Sequence, residues 1–476
     1  MSSFYVENFG CRATQADGAA IEEQFRENGL IRADHPGNAQ YLVLNTCAVT
    51  ASAEQDARAA IRRVHRENPG CKVIVTGCYA QRAPHEVASL PGVSVVVGNS
   101  HKSTLAQIAL QGKRQSGGNF VSLSSLTSGQ DSVGESIFVS DIFAHTELVA
   151  APVFDSANER TRPNLKVQDG CNNRCSFCII PSVRGRNRSL KLDEVLREVN
   201  QLVEADYREV VISGINLGRW GRDFQDQIMC DGLPRPPKLE DLVRAILDHT
   251  ALQKLRISSI EPMDWSDSFI KLMADSPRVA KHAHVPMQSG SDAVLRRMHR
   301  KYRPWHYREK LEKIRAAMPS AAIGADVMVG FPGETELEFE ETRRMIEELP
   351  FTYLHVFTFS ARPGTPAVTM PNQVPVRLAR ERNRILRELA AEKKRTFMEP
   401  FVGQKIEAIT LNAISDTPDG ICTEALTDNY LKLQIRGKHQ ANRWLTTRIS
   451  SVANDHLVGT VPAPSNSLIS FRTASV

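Results

Sequence analysis

Between about residues 161 and 394 the chain repeats one unit, a short apolar run followed by a helical stretch. Pro163 to Val167, Glu209 to Ser213, Lys254 to Ser259, Ala283 to Pro286, Ile323 to Val329 and Tyr353 to Phe359 read as its strands. Alternation of this kind specifies parallel pairing with the helices packed outside. The first helical interval shows the expected face, with Leu192, Val195, Leu196, Val199, Leu202 and Val203 at the helical period. Six units are two short of a closed eightfold barrel, so an open (β/α)6 partial barrel is predicted, its site built from loops at the carboxyl ends of strands.

The loop after the first of these strands carries Cys171, Cys175 and Cys178 in the spacing CxxxCxxC. Three thiolates can hold a four-iron cluster at three corners and leave the fourth iron open to a ligand and to electron transfer. A structural zinc site would need a second ligand pair, and none follows Cys178 nearby. The later strand-end loops contain Gly214 and Asn216, then Ser259 and Glu261, then Gln288, then Gly330. Glycine and proline also shape ordinary βα turns, but grouped around one mouth these residues predict a ligand pocket.

The amino-terminal region alternates strands with helical intervals as well: Phe4-Tyr5-Val6, Tyr41 to Leu44, Val73-Ile74-Val75 and Val93 to Val97. A Rossmann-like parallel sheet is predicted. Cys11, Cys47 and Cys78 each lie just past one of the first three strands, on the edge where such sheets bind ligands. Three thiols converging there suggest a second cluster, and three buried free thiols are the alternative. Cys71 precedes its strand and should face away.

The predicted organisation is α/β: residues 1–112 form the parallel-sheet domain, 113–160 a Gly/Ser/Thr-rich linker with surface extensions, 161–398 the partial barrel, and 399–471 a small OB-like β-barrel. The last follows from short strands at Ile406 to Leu411, Thr423 to Ala425, Leu431 to Ile435, Thr446 to Val452 and Leu457 to Val461; such barrels often bind oligonucleotides. Net charge is only +5, so anionic partners are argued from local clusters, chiefly Arg296 to Arg303 and Arg377 to Arg395. Interleaved Glu381, Glu388 and Glu392 make a solvated helix face the alternative for the second cluster. Tyr430, Trp444 and Arg448 either contact RNA or fill the small barrel. The stretch from Met1 to Ala20 is not an apolar leader, no apolar run could span a bilayer, and the nine cysteines are odd in number, so a reducing, cytoplasmic location without membrane contact is expected.

Several segments together are similar to the radical S-adenosylmethionine methylthiotransferases: Phe9-Gly10-Cys11, Asn45-Thr46-Cys47-Ala48-Val49-Thr50, Thr76-Gly77-Cys78-Tyr79-Ala80-Gln81, Lys166 through Cys178 to Gly185, Gln288-Ser289-Gly290-Ser291 and Gly330-Phe331-Pro332-Gly333-Glu334-Thr335. Lys166 to Asn173 most resembles the branch acting on N6-threonylcarbamoyladenosine at position 37 of tRNA. Ser182-Val183 and Leu190 depart from the usual family residues, and Phe224 to Pro237, with Cys230, reads as an insertion.

The resemblance implies two 4Fe-4S clusters, a radical one at Cys171, Cys175 and Cys178 and an auxiliary, sulfur-supplying one at Cys11, Cys47 and Cys78. It implies S-adenosylmethionine near Gly214, Asn216, Ser259, Glu261, Gln288 and Gly330, and a carboxyl-terminal TRAM barrel that binds RNA. It also implies a tRNA anticodon stem-loop as substrate and a reducing partner such as flavodoxin or ferredoxin. Arg184, Arg186, Arg188, Arg300 and Arg448 are candidates for RNA contact. Cys71, Cys230 and Cys422 are expected to be spare thiols. Alternative substrates are isopentenyladenosine 37 or a ribosomal protein side chain; an alternative of another class is a non-catalytic iron-sulfur RNA module.

Overall fold

The computed structural model describes residues 2–111, 136–145, 148, 161–225, 228–230, 233–417 and 420–462. Of the predicted linker, residues 113–135, 146–147 and 149–160, and of the last predicted domain the end, 463–471, lie outside the described residues.

The amino-terminal sheet contains β1 (Ser3–Asn8), β2 (Ile31–Arg32), β3 (Tyr41–Thr46), β4 (Lys72–Gly77), β5 (Val93–Val97) and β6 (Ser136–Phe138), all parallel in the order β2-β1-β3-β4-β5-β6. Every residue of β3 is buried, which explains its unbroken apolar run: a central parallel strand is covered on both faces. On one face Ile21 and Phe25 of the helix Arg12–Glu27 pack with Phe4 and Val43; on the other, Ile61 and Val64 of the helix Ala51–Glu67 pack with Leu42 and Val75. β6 was not predicted. Its three residues are too few to show a period, and it is specified by pairing Val95 with Ser136 and Val97 with Phe138, inside what reads as linker.

The central domain supplies β7 (Asn164–Asp169), β8 (Arg188–Ser189), β9 (Glu209–Gly214), β10 (Ile228–Cys230), β11 (Leu233–Arg235), β12 (Lys254–Ile257), β13 (His282–His284), β14 (Ala322–Val329) and β15 (Tyr353–Thr358). Six of them form two parallel groups, β12-β9-β7 and β13-β14-β15, joined by the parallel bridge Leu255 to Val279 and by Ile260 N–H donating to the His284 carbonyl at 3.0 Å. β8 adds antiparallel to β7, and β10 with β11 makes an antiparallel hairpin within the predicted insertion. One continuous core, from Leu165 and Val195 to Ile346 and Leu386, fills the space between strands and outer helices.

The carboxyl-terminal strands β16 (Lys405–Thr417), β17 (Gly420–Thr427), β18 (Lys432–Arg436), β19 (Trp444–Ala453) and β20 (His456–Thr460) close into a barrel in the order β16-β17-β18-β20-β19. All three units meet at Tyr430. Its ring lies 4.3 Å from that of His282 in the partial barrel, and its hydroxyl accepts from Arg12 of the amino-terminal domain at 3.3 Å. Arg256, buried against Glu209, donates to the carbonyls of Thr427 and Asp428 and so ties down the same loop. Among the described residues no helix is long and apolar enough to cross a membrane.

Candidate active site at the domain boundary

Cys11, Cys47, Cys78 and Cys171 each follow a parallel strand within three residues, and Cys175 and Cys178 lie farther along the loop after β7. Cys171 comes after β7, where Gly170 turns the chain at φ +69°. An added Cβ there would lie 1.9 Å from the Arg186 carbonyl oxygen, so only glycine lets the cysteine loop approach the β8 hairpin. Cys171 Sγ accepts from the Asn173 backbone N–H and from Asn216 Nδ2, each at 3.4 Å, and Cys175 Sγ accepts from Arg300 Nη1 at 3.2 Å. Arg300 is in turn ion-paired with Glu261. The short helix Ile180–Arg184 that follows Cys178 buries Ile179 and Val183 in the core of the amino-terminal domain, which holds the two units together beside the triple.

In the amino-terminal domain Cys47 and Cys78 are buried and Cys11 is exposed. Gly10 sits so close to Cys47 that a Cβ would be 3.0 Å from its Sγ, which draws the loops after β1 and β3 together. Asn99 Nδ2 reaches Cys78 Sγ at 3.7 Å and the Val183 carbonyl, across the boundary, at 2.7 Å. Ala51 N–H donates to Ser360 Oγ, and Glu54 pairs with Arg362, on the far side of the barrel mouth.

Burial pushes the Cys178 and Cys47 thiols up to about 12, and proximity to Cys175 and to Cys78 respectively adds to it. Burial also raises Cys171. Thiols that burial keeps protonated are deprotonated outright by a bound metal centre. No group of three His, Cys, Asp or Glu among the described residues could hold a single metal ion. Each set is three thiols, the donor type that holds iron–sulfur clusters. Cys71 is buried in the amino-terminal core, with burial raising it to about 11, and Cys422 is buried in the small barrel. The side chain of Cys230 lies outside the described residues.

The predicted cofactor residues fall on one rim. The Asn216 N–H donates to Gln168 Oε1 at 2.7 Å; Gly214 ends β9; Ser259 Oγ is 2.6 Å from His284 Nδ1; Gln288, at φ +60°, bridges to β14; and the Gly330 N–H donates to Glu334 Oε2 at 2.7 Å.

Three of the arginines proposed for RNA are not available to it. Arg184, 2% exposed, donates to Asp169 at 3.0 and 3.1 Å and to Asp17 at 2.9 Å; Arg188 is buried beside Asp169; and Arg300 is held by Cys175 and Glu261. Their run of basic residues resembles a solvated loop in sequence, but the carboxylates that hold them lie on other elements. Arg186 and Arg448 are exposed. Tyr430 seals the domain junction, and Trp444 packs under Lys254 at 5.1 Å. The helix Val376–Met398 turns Arg384 outward between Glu381 and Glu388, a solvated face, and buries Arg382 against Glu334. Lys166, Asp17 and Lys102, a buried ion cluster under the site, were not anticipated. Their signal was a lysine between Leu165 and Val167, in a strand otherwise read as buried on both faces.

Residues 165–346 match the Radical SAM superfamily and residues 3–98 match a second family, described as uncharacterized protein family UPF0004. The threonylcarbamoyladenosine tRNA methylthiotransferase MtaB of Bacillus subtilis is 36% identical over 438 residues, covering 92% of this chain and 91% of that protein. The tRNA-2-methylthio-N(6)-dimethylallyladenosine synthase of Thermobifida fusca is 32% identical, covering 86% of this chain and 77% of its own length. Among solved structures, the radical S-adenosylmethionine methyltransferase TsrM from Kitasatospora setae superposes with a TM-score of 0.53 at 13% identity over 77% of this chain and 74% of TsrM, a likeness of fold. With both cysteine triples at strand ends and relatives spanning nearly its whole length, the chain belongs to the radical S-adenosylmethionine tRNA methylthiotransferases.

Proposed function

We propose that this enzyme adds a methylthio group to C2 of N6-threonylcarbamoyladenosine at position 37 of tRNA, in the cytoplasm, with Cys171, Cys175 and Cys178 holding the radical cluster and Cys11, Cys47 and Cys78 the sulfur-supplying one. The observation that carries the reading is the placement of two cysteine triples on strand ends on either side of one domain boundary. The substrate branch is supported by the Bacillus subtilis relative, which is named for the threonylcarbamoyl nucleoside. When bound, the radical cluster and S-adenosylmethionine supply the one-electron chemistry needed at an adenine C2–H, a position no side-chain base can deprotonate at neutral pH.

The chain's own residues bind and orient. Asn216 and Arg300 donate to Cys171 and Cys175, fixing those sulfurs and drawing charge from them, while Glu261 keeps Arg300 aimed. Gly214, Ser259, Gln288 and Gly330, on the same rim, are assigned to the S-adenosylmethionine site. Val183 and Ile179, packed into the neighbouring domain, help keep water from the boundary. The target base must leave its stack, at a cost of about a few kcal/mol. Phosphate contacts offset this, and Arg186 and Arg448 are the exposed candidates of those named from sequence. A flavodoxin or ferredoxin is assigned as reductant.

Nucleoside mass spectrometry of tRNA incubated with the reconstituted enzyme tests the reading. A 2-methylthio product retaining the threonylcarbamoyl group is expected. A 2-methylthio isopentenyl product would move the enzyme to the other branch, and unmodified tRNA would overturn the assignment.

A further inference from the structure

Beneath the boundary lies a buried cluster of four cations and two carboxylates. Asp17 receives Lys102 Nζ and Arg184 Nη2, each at 2.9 Å, and is ion-paired with Lys166. Asp169 receives Lys166 Nζ at 3.0 Å and Arg184 Nη1 at 3.0 Å, with Arg188 at 3.9 Å. Both carboxylates, Lys102, Lys166 and Arg184 are at most 6% exposed. Arg184 Nε and Arg188 Nε are buried without a hydrogen-bond partner among the described residues. Exposed Asp223, held by Asn187 and Ser189, faces the Arg188 end, and His145, whose carbonyl accepts from Arg188 Nη1 at 3.4 Å, lines the same small cavity.

Uncompensated buried charge is costly, by several kcal/mol per ion. The surplus of cations over carboxylates therefore calls for negative charge nearby, and the Cys11, Cys47 and Cys78 triple is where it would lie. Asn99, which lines the cavity, reaches Cys78 Sγ. Asn99 also donates to the Val183 carbonyl, next to Arg184, and Lys102 Nζ donates to Asn45 Oδ1 at 3.4 Å, two residues before Cys47. Beside the other triple stands a paired guanidinium instead: Arg300 donates to Cys175 Sγ at 3.2 Å and is ion-paired with Glu261.

We propose that the cluster of Asp17, Lys102, Lys166, Asp169, Arg184 and Arg188 is the electrostatic counter-charge of the Cys11, Cys47 and Cys78 centre, and that its surplus positive charge raises that centre's reduction potential while leaving the radical centre unaffected. The inference rests on the assignment of a cluster to each triple. Positive charge fixed beside a cluster favours the reduced form, which carries one more electron, so charge, burial and hydrogen bonds to sulfur set its potential. Because Asp17 and Lys102 come from one domain and Lys166, Asp169, Arg184 and Arg188 from the other, the counter-charge is complete only when the domains are docked. These are positioning residues and touch no reacting atom.

Anaerobic redox titration of the full, reconstituted chain, followed by electron paramagnetic resonance, tests this, with the Cys47→Ala variant used to tell the two signals apart. Lys102→Met should lower the midpoint of the auxiliary centre, Asp17→Asn should raise it, and the double variant Asp17→Asn/Lys102→Met, which restores the surplus, should return it close to the parent value. The radical centre should not move. A merely structural role predicts shifts of one sign, largest in the double variant; that result, or unmoved potentials with full iron content, overturns the proposal. If Lys102→Met alone loses iron, the upward shift in Asp17→Asn, which removes no cation, still decides. A parent chain with one cluster would instead remove the assignment beneath it.

Discussion

Gly170→Ala is expected to dismantle the radical-cluster loop, by an amount that can be worked out from the geometry. At φ +69° an alanine has backbone strain of about 1 kcal/mol. Its Cβ would stand 1.9 Å from the Arg186 oxygen, where ordinary contact begins at 3.4 Å, so the hairpin must retreat by about 1.5 Å. That retreat breaks the bond from Cys171 N–H to the Gly185 carbonyl, 3.1 Å, and that from Asn187 N–H to Asn172 Oδ1, 3.0 Å, each contributing about 1 kcal/mol. The total is about 3 kcal/mol. Gly364→Ala, at φ +85° with nothing within 4 Å, should show the strain alone, about 1 kcal/mol. Denaturant unfolding of both variants, with iron counted per chain, separates the cases. Gly170→Ala should lose the radical cluster and keep the auxiliary one; equal destabilisation with full iron in both would refute the reasoning.

Cys175→Ala should abolish reductive cleavage of S-adenosylmethionine, whereas Cys47→Ala should leave cleavage intact and remove methylthiolation, measured as 5'-deoxyadenosine and modified nucleoside in one reaction. Arg256→Met strands Glu209, which is fully buried and, among the described residues, otherwise ion-paired only with Arg162 at 3.5 Å, and should destabilise by about 3–5 kcal/mol while exposing the Thr427–Tyr430 loop to protease. Burial, then the positive charge of Arg256, holds His282 well below its ordinary 6.5, so the ring is neutral in the fold. Its contribution to stability is whole above pH 6.5 and falls as the pH drops below that, by up to about 1.4 kcal/mol per unit. Thermal unfolding compared at neutral pH and near pH 5.5 should show a steeper loss in the parent than in His282→Gln.

The sequence revealed what depends on local pattern. Parallel strands covered on both faces are mostly apolar runs, so β3, β9 and β14 announced themselves, and each strand's end placed a cysteine or a glycine on the expected edge. Pairings between distant elements left no such trace. Nothing in the chain text joins Asp17 to Arg184, separated by 167 positions, or Arg300 to Cys175, and without those partners an arginine run beside a cluster reads as an RNA contact. β6 was silent for a related reason: three residues carry no period, and only the register against β5 defines it.

Anaerobic iron and sulfide analysis with spin quantification of the reconstituted chain tests the central claim most directly. About eight irons per polypeptide in two distinguishable centres is the predicted result. About four irons and a single centre would contradict it.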